Sequence, residues 1–168
     1  MRARQVWEQV GHLHETHGVS YFFETGDDFM VGSYPKALLA RRPTGLSDIR
    51  WRIYAYPAGL TEEGVATLSL LNVRTVFMGV ESITSQALRR AGRRGYGGGE
   101  IEKIVARARA AGLRLITSFI FGLEGETVDS TARNRDFIAR LATTYPDVFE
   151  AISIRPDGVF SGQPDVYW

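Results

Sequence analysis

The sequence predicts an α/β fold, a partial, open βα barrel of about five parallel strands with helices outside, and three observations predict it. Apolar runs suited to strands alternate with stretches of helical spacing along the chain. That order leads to parallel pairing through right-handed crossovers. Two of the runs, Val76-Phe77-Met78-Gly79-Val80-Glu81-Ser82 and Ser118-Phe119-Ile120-Phe121-Gly122-Leu123-Glu124-Gly125-Glu126, stop abruptly at glycine and carboxylate, and ligands in parallel α/β proteins sit where strands end and helices begin. The length of 168 residues suits one domain with a sizeable core, here residues 1–168, but falls short of a closed eight-stranded barrel of about 250 residues.

Element by element, Val6, Trp7, Val10 and Leu13 recur at helical spacing and Gly18 closes that helix. Val19 to Phe23 reads as the first strand. A short helix is expected from Tyr34 to Arg42, with Pro35 in its first turn and Pro43 beyond its end. Ile49 to Tyr56 alternates as a second strand, with Trp51, Ile53 and Ala55 on one face and Arg50, Arg52, Tyr54 and Tyr56 on the other. Thr61 caps the next helix, Glu62 and Glu63 fill its first turn, and Leu60 and Val65 sit where a hydrophobic staple needs them. Val65, Leu68 and Leu71 form its buried stripe.

Val73 to Val80 is the third strand. A short helix from Ser85 to Ala91 and a glycine-rich loop, Gly92 to Gly99, precede a longer helix whose Ile101, Ile104, Val105 and Ala108 share one face. Leu113 to Phe121 is the fourth strand. Thr127 to Ala142 follows as a helix with Val128, Ala132, Ile138 and Leu141 inward, and Ala151 to Ile154 is a short fifth strand. The order begins with a helix that no strand precedes, so the sheet is expected to carry an open edge.

Composition narrows the function classes. A net charge of +1, a hydrophobic fraction of 44% and a charged fraction of 23% suit an ordinary globular chain. Zero cysteines excludes disulfides, thiolate metal sites and a cysteine nucleophile within these residues. Neither a leader-like apolar segment nor a run long enough to span a bilayer is evident, so a cytoplasmic protein is expected.

Candidate functional residues gather at the strand ends. Glu24, Thr25, Gly26, Asp27 and Asp28 follow the first strand, Glu81 and Ser82 the third, Gly122, Glu124, Gly125 and Glu126 the fourth, and Arg155 and Asp157 the fifth. In a parallel sheet these share one rim. Glycines there admit a ligand to the backbone, and carboxylates grip an amine or a ribose diol.

Taken together, Gly79-Val80-Glu81-Ser82 and the Ser118–Glu126 run resemble the radical S-adenosylmethionine (SAM) superfamily, in the branch typified by cobalamin-binding and methylthiotransferase-type members. Phe22-Phe23-Glu24-Thr25-Gly26-Asp27-Asp28-Phe29 looks like that branch's second-strand segment, Asp48-Ile49-Arg50-Trp51-Arg52 like its third strand, and Ser161-Gly162-Gln163-Pro164 like an echo of its motif after the sixth. The resemblance implies a partial barrel of βα units. It also implies a first strand leading to a CxxxCxxC loop that holds a [4Fe-4S] cluster, and reductive cleavage of SAM to a 5′-deoxyadenosyl radical. The strand, the loop and its cysteines have no counterpart here. The chain is therefore expected to be the middle and C-terminal part of such a core, open where the first βα unit is missing and inactive by itself.

By the same resemblance, Glu24 takes the position that contacts the SAM amino group, with Phe22-Phe23 where the family has a glycine pair. Glu81 and Ser82 take the position that binds ribose hydroxyls or the methionine end. Ile120, Gly122 and Leu123 match the segment against adenine, and Arg52 is a candidate partner for a carboxylate. The plain structural alternative for Glu81 is a carboxylate at a helix N-terminus. Two other classes stay open: a non-catalytic subunit docking on a cysteine-bearing partner, and a carboxylate/Mg²⁺-dependent βα enzyme. His14-Glu15-Thr16-His17 is one residue short of the HExxH zinc spacing, and no metal site is expected there. Arg89, Arg90, Arg93 and Arg94 beside Tyr96 read as a solvated surface run rather than a nucleic-acid contact. Gly97-Gly98-Gly99-Glu100 follows no strand and is no phosphate loop.

Overall fold

Period-two alternation from Arg50 to Ala55 buries Trp51, Ile53 and Ala55 beneath helices and turns Arg52 and Tyr54 to the opposite face. The same rule organises β3 from Val76 onward and β4. A computed structural model describes residues 2–84, 88 and 96–156. The elements run α1 (Ala3–His17), β1 (Tyr21–Phe23), α2 (Tyr34–Ala40), β2 (Arg50–Ala55), α3 (Glu62–Leu70), β3 (Val73–Glu81), α4 (Gly98–Ala110), β4 (Arg114–Phe121), α5 (Val128–Thr144) and β5 (Phe149–Pro156). The five strands form one parallel sheet in the order β1-β2-β3-β4-β5. Among the described residues β1 pairs only with β2, which leaves it as an edge.

The core lies between the sheet and its helices. Ile53, Val76, Leu115 and Phe119 are fully buried from the strands, as are Leu38, Leu68, Ile101, Val105 and Leu141 from the helical side. Each such side chain contributes about 1.5–3 kcal/mol on burial. Trp7 of α1 meets Trp51 edge-on, with ring centroids 5.6 Å apart, and its indole N–H donates to the Leu38 carbonyl at 2.8 Å. The start of α3 is as expected. The Thr61 hydroxyl accepts from the Gly64 N–H at 3.0 Å, and Leu60 and Val65 are both buried. Asn72 turns the chain from α3 into β3 with φ 62°, and its side-chain amide donates to the Ile49 carbonyl at 3.1 Å. Asparagine tolerates this left-handed turn better than other non-glycine residues.

Three expectations need correction. The first strand is only Tyr21–Phe23, since Val19 and Ser20 lie outside it. The last is longer than expected, Phe149–Pro156, because its pairing with β4 continues to both ends. In α5, Val128 is 87% exposed rather than inward, because it is the first helical residue and stands beyond the core. The buried stripe of α5 begins instead with the polar Ser130 and Asn134 and continues through Phe137, Ile138 and Leu141. The expected helix from Ser85 to Ala91 lies largely outside the described residues, as do the arginine run Arg89, Arg90, Arg93 and Arg94, Asp157, and the Ser161–Pro164 segment.

Candidate functional site

The face of the sheet away from the core is lined by side chains of alternating strand positions. Phe23, Tyr54 and Phe77 form an aromatic cluster across β1, β2 and β3, with centroids 4.9 to 5.6 Å apart. Beside it, toward the strand N-termini, Arg52 Nη2 donates to Glu150 Oε2 at 2.8 Å and the guanidinium stands 5.5 Å from the Phe77 ring centre. The Thr75 hydroxyl donates to the other Glu150 oxygen at 2.7 Å. Glu150 is the residue passed over where the β4–β5 register slips. Strands lie about 4.8 Å apart, so β2 and β5 in a flat sheet would be about 14 Å apart. The Arg52–Glu150 contact therefore bridges β2 to β5 over the two intervening strands and closes the floor of this face.

Above this floor, at the carboxyl ends of the strands, lies a cavity of about 320 Å³. The loop after β1 and all four remaining strands contribute to it: Asp27, Tyr54 with Tyr56, Phe77 with Gly79 and Glu81, Ile116 with Ser118 and Ile120, and Ser153 with Arg155. Ser118 and Ser153 are register partners on adjacent strands. A second recess of about 340 Å³ shares Tyr56, Gly79 and Glu81 with the first and adds Asp28 and Tyr96. The sites are concave, largely apolar and edged by a few carboxylates and hydroxyls, as small-molecule sites generally are.

The end of β3 is built irregularly. Its register with β4 slips between Gly79 and Glu81, and Glu81 has φ 64°. The left-handed backbone folds the Glu81 carboxylate back over Gly79. One carboxylate oxygen stands 2.7 Å from the position that a Cβ on Gly79 would occupy. Only glycine at position 79 leaves that space to the carboxylate.

Next to it, Ser82 is fully buried. Its hydroxyl accepts from the Asn134 side-chain N–H at 3.0 Å and from the Thr84 backbone N–H at 3.1 Å. Asn134, also fully buried, accepts the Ile83 N–H at 2.9 Å and donates to Glu126 Oε1 at 2.8 Å. The second Glu126 oxygen accepts the Gly122 N–H. Gly122 itself has φ 88°, a conformation that β-carbon-bearing residues rarely hold.

The expected site residues therefore separate. Glu81 and Ile120 line the cavity. Ser82, Gly122 and Leu123 line neither recess. Buried Ser82 and exposed Gly122 belong to the hydrogen-bond network that runs through Asn134 and Glu126, and Leu123 is 8% exposed. Arg52 lines neither recess either; its guanidinium pairs with Glu150 of this chain, in the floor, rather than standing open to a ligand carboxylate. Glu24 also lines neither recess. Its carboxylate accepts the Gly26 N–H at 3.2 Å. Burial, and secondarily the Glu24 charge, hold the Tyr34 phenol above its ordinary pKa. Asp27, Asp28 and Arg155 stand on the rim, where the sequence places them. Tyr54, Tyr56, Ser118 and Ser153 are lining residues that strand-end reasoning misses. For Tyr54, Tyr56 and Ser118, alternation with buried neighbours was the available signal.

The donor set does not suit an iron–sulfur cluster, because the chain contains no cysteine and such clusters are held chiefly by thiolates. Among the described residues no three histidine, aspartate or glutamate side chains converge as a metal site. His14 Nδ1 instead meets the Val19 carbonyl at 2.9 Å, and His12 Nδ1 meets the Thr16 hydroxyl at 3.4 Å.

Comparison with known proteins adds a family. The model of the radical SAM superfamily matches residues 1–138. No curated protein matches the chain. Among solved structures, the radical SAM methyltransferase TsrM from Kitasatospora setae, solved with cobalamin and a [4Fe-4S] cluster, is 21% identical with a TM-score of 0.76, over 91% of this chain and 29% of that one. The cobalamin-dependent radical SAM enzyme OxsB is 17% identical with a TM-score of 0.67, over 82% of this chain and 22% of that one. Coproporphyrinogen III oxidase, HemN, from Escherichia coli is 17% identical with a TM-score of 0.60, over 91% of this chain and 37% of that one. The chain thus spans less than two fifths of each structure's length. At these identities the likeness is one of fold, a partial βα barrel.

Proposed function

The chain belongs to the radical SAM superfamily, and from that premise we propose that it forms the SAM cradle of a radical enzyme core, as its middle and C-terminal part. One observation carries this reading: the loop after β1 and the other four strands all contribute to one cavity at their carboxyl ends, with the Glu81 carboxylate folded over Gly79 at its edge. SAM, if held here, would supply the family's radical chemistry only in a whole enzyme whose cluster ligands come from outside these residues. The residues of this chain bind and orient the ligand. Glu81 accepts hydrogen bonds from ribose hydroxyls or the amino group. Ile120 offers an apolar surface to adenine, and Gly79 keeps the approach open. Arg155, on the cavity wall, provides a positive charge for a carboxylate. The cluster has no ligands here, so no step is assigned to it.

The reading includes a cysteine-bearing segment, of another chain or of a longer protein, seated along β1. Two features favour it. β1 has one neighbour among the described residues, and Tyr21 and Phe23 are 44% and 45% exposed. Unpaired edges of this kind accept a further strand. Among the described residues no helix is long and apolar enough to cross a membrane, and a cytoplasmic setting accompanies the proposal. Isothermal calorimetry with S-adenosylhomocysteine tests the cradle. Weak, saturable binding is expected, and no heat at millimolar ligand would leave the cavity without this role.

A further inference from the structure

Asn134 is absent from the strand-end motifs and lines neither recess, yet the hydrogen bonds of its side chain reach both motif segments. It rises from α5, the helix after β4. Its Oδ1 faces the Ile83 N–H at 2.9 Å, and its Nδ2 faces Glu126 Oε1 at 2.8 Å and the Ser82 hydroxyl at 3.0 Å. The first partner can only donate and the second, as a carboxylate, can only accept, so the orientation of the amide is set by its neighbours. The Ser82 side lies one residue from Glu81. The Glu126 side runs through its second oxygen to the Gly122 N–H, two residues from Ile120. Asn134 and Ser82 are both fully buried, where an unmatched polar atom is costly and a matched network is rigid.

We infer that Asn134 is a positioning residue for the adenosyl site: its amide couples the end of β3, which carries Glu81, to the end of β4, which carries Ile120, and so fixes the spacing across which the ligand is held. The inference rests on the cradle reading. It assigns Asn134 no contact with the ligand. A helix residue that only filled the core would need no amide, and Phe137 and Ile138 fill the core one turn later.

The network makes a swap test possible. In Asn134→Asp a second carboxylate faces Glu126. The pair repels, and the two rims part or share a proton. In Glu126→Gln the side chain cannot accept from both Gly122 and Asn134. In the double variant, the introduced glutamine accepts the Gly122 N–H and donates to the introduced aspartate. That aspartate still accepts from Ile83 and takes a hydrogen bond from the Ser82 hydroxyl. Every donor and acceptor is again matched, and the amide and the carboxylate have exchanged places.

Binding of S-adenosylhomocysteine to the four proteins is measured by calorimetry, alongside thermal melting of each. The expected result is a loss of about tenfold or more in each single variant and recovery to within about threefold of wild type in the double. Unchanged affinity in the folded single variants overturns the inference. Melting restored in the double without affinity also overturns it, because that pattern means a purely structural role. If Asn134→Asp does not fold, Asn134→Ala with the Glu126→Gln and double variants carries the same comparison. If wild type itself binds no adenosyl ligand, the cradle reading fails and the outcome is distinguishable from failure at Asn134.

Discussion

Glu81 lies folded over Gly79, with a carboxylate oxygen 2.7 Å from where a β-carbon on Gly79 would stand. Two departures from regular strand geometry produce this. The β3–β4 register slips between the two residues, and Glu81 has φ 64°. A non-glycine residue in the left-handed region costs about 1–2 kcal/mol, and such strain, where a structure sustains it, clusters at ligand sites. The conformation has a functional consequence. It turns a side chain at the end of a strand back over the cavity face, to the edge of both recesses.

Gly79→Ala separates this geometry from fold stability. The atom that an added methyl would meet is the tip of a flexible side chain, which can swing away. The expected outcome is a melting temperature within a few degrees of wild type, together with loss of most S-adenosylhomocysteine binding measured by calorimetry. Retained affinity would mean that the folded-back carboxylate is not the form that meets the ligand.

Tyr34 makes stability depend on alkaline pH. Its phenol is held above the ordinary pKa, first by burial and then by the charge of Glu24. A raised folded-state pKa means that the stabilisation is fully present below the unfolded value of about 10 and is lost as pH rises through the folded value. Thermal melting followed from pH 9 to roughly 12 is expected to decline more steeply in wild type than in Tyr34→Phe. Parallel curves for the two proteins would sink the assignment.

No cluster is expected on the chain alone. With no cysteine, reconstitution with iron and sulfide under anaerobic conditions should leave no stoichiometric brown chromophore after desalting, because imidazole and carboxylate are poor substitutes for thiolate ligands. A cluster retained at one per chain, read by absorbance and iron content, would refute this.

The parts of the fold that follow from local rules were legible in the sequence. Thr61 with its staple of Leu60 and Val65 is one case. The alternation of Trp51, Ile53 and Ala55 against Arg52 and Tyr54 is another. Asn134 was not legible, because a polar residue is placed in a core by partners distant in sequence, here Ser82, 52 positions away. Val128 misled for the converse reason: an apolar residue at a helix start satisfies the period yet stands beyond what it should pack on. At the site, Glu81 was legible as a strand-end carboxylate, whereas its left-handed backbone was not, since glutamate, unlike glycine or asparagine, does not announce that conformation. Arg52 was expected to meet the carboxylate of a ligand, whereas its partner is Glu150 from β5, beyond β3 and β4, a pairing between residues 98 positions apart that no local pattern announces.

Glu81→Gln tests the central contact by removing the charge while keeping the shape. Charge-assisted hydrogen bonds contribute about 1.5–3 kcal/mol, so the remaining affinity for S-adenosylhomocysteine should fall about tenfold or more. The control is Asp147→Asn. Asp147 precedes β5 at the opposite end of the sheet and pairs with Arg109 at 2.8 Å. That ion pair holds its carboxyl below the usual range, first through the hydrogen bond to Arg109, so the substitution disturbs an exposed charge far from the cavity. Exposed pairs of this kind contribute little to stability, and Asp147→Asn should bind as wild type does. Calorimetry or ligand-observed NMR on the three proteins separates the outcomes. A silent Glu81→Gln in a protein that binds would move the contact to another rim residue, with Asp27 and Arg155 the next to change. Equal losses in both variants would point to a general effect of charge rather than to a contact at the end of β3.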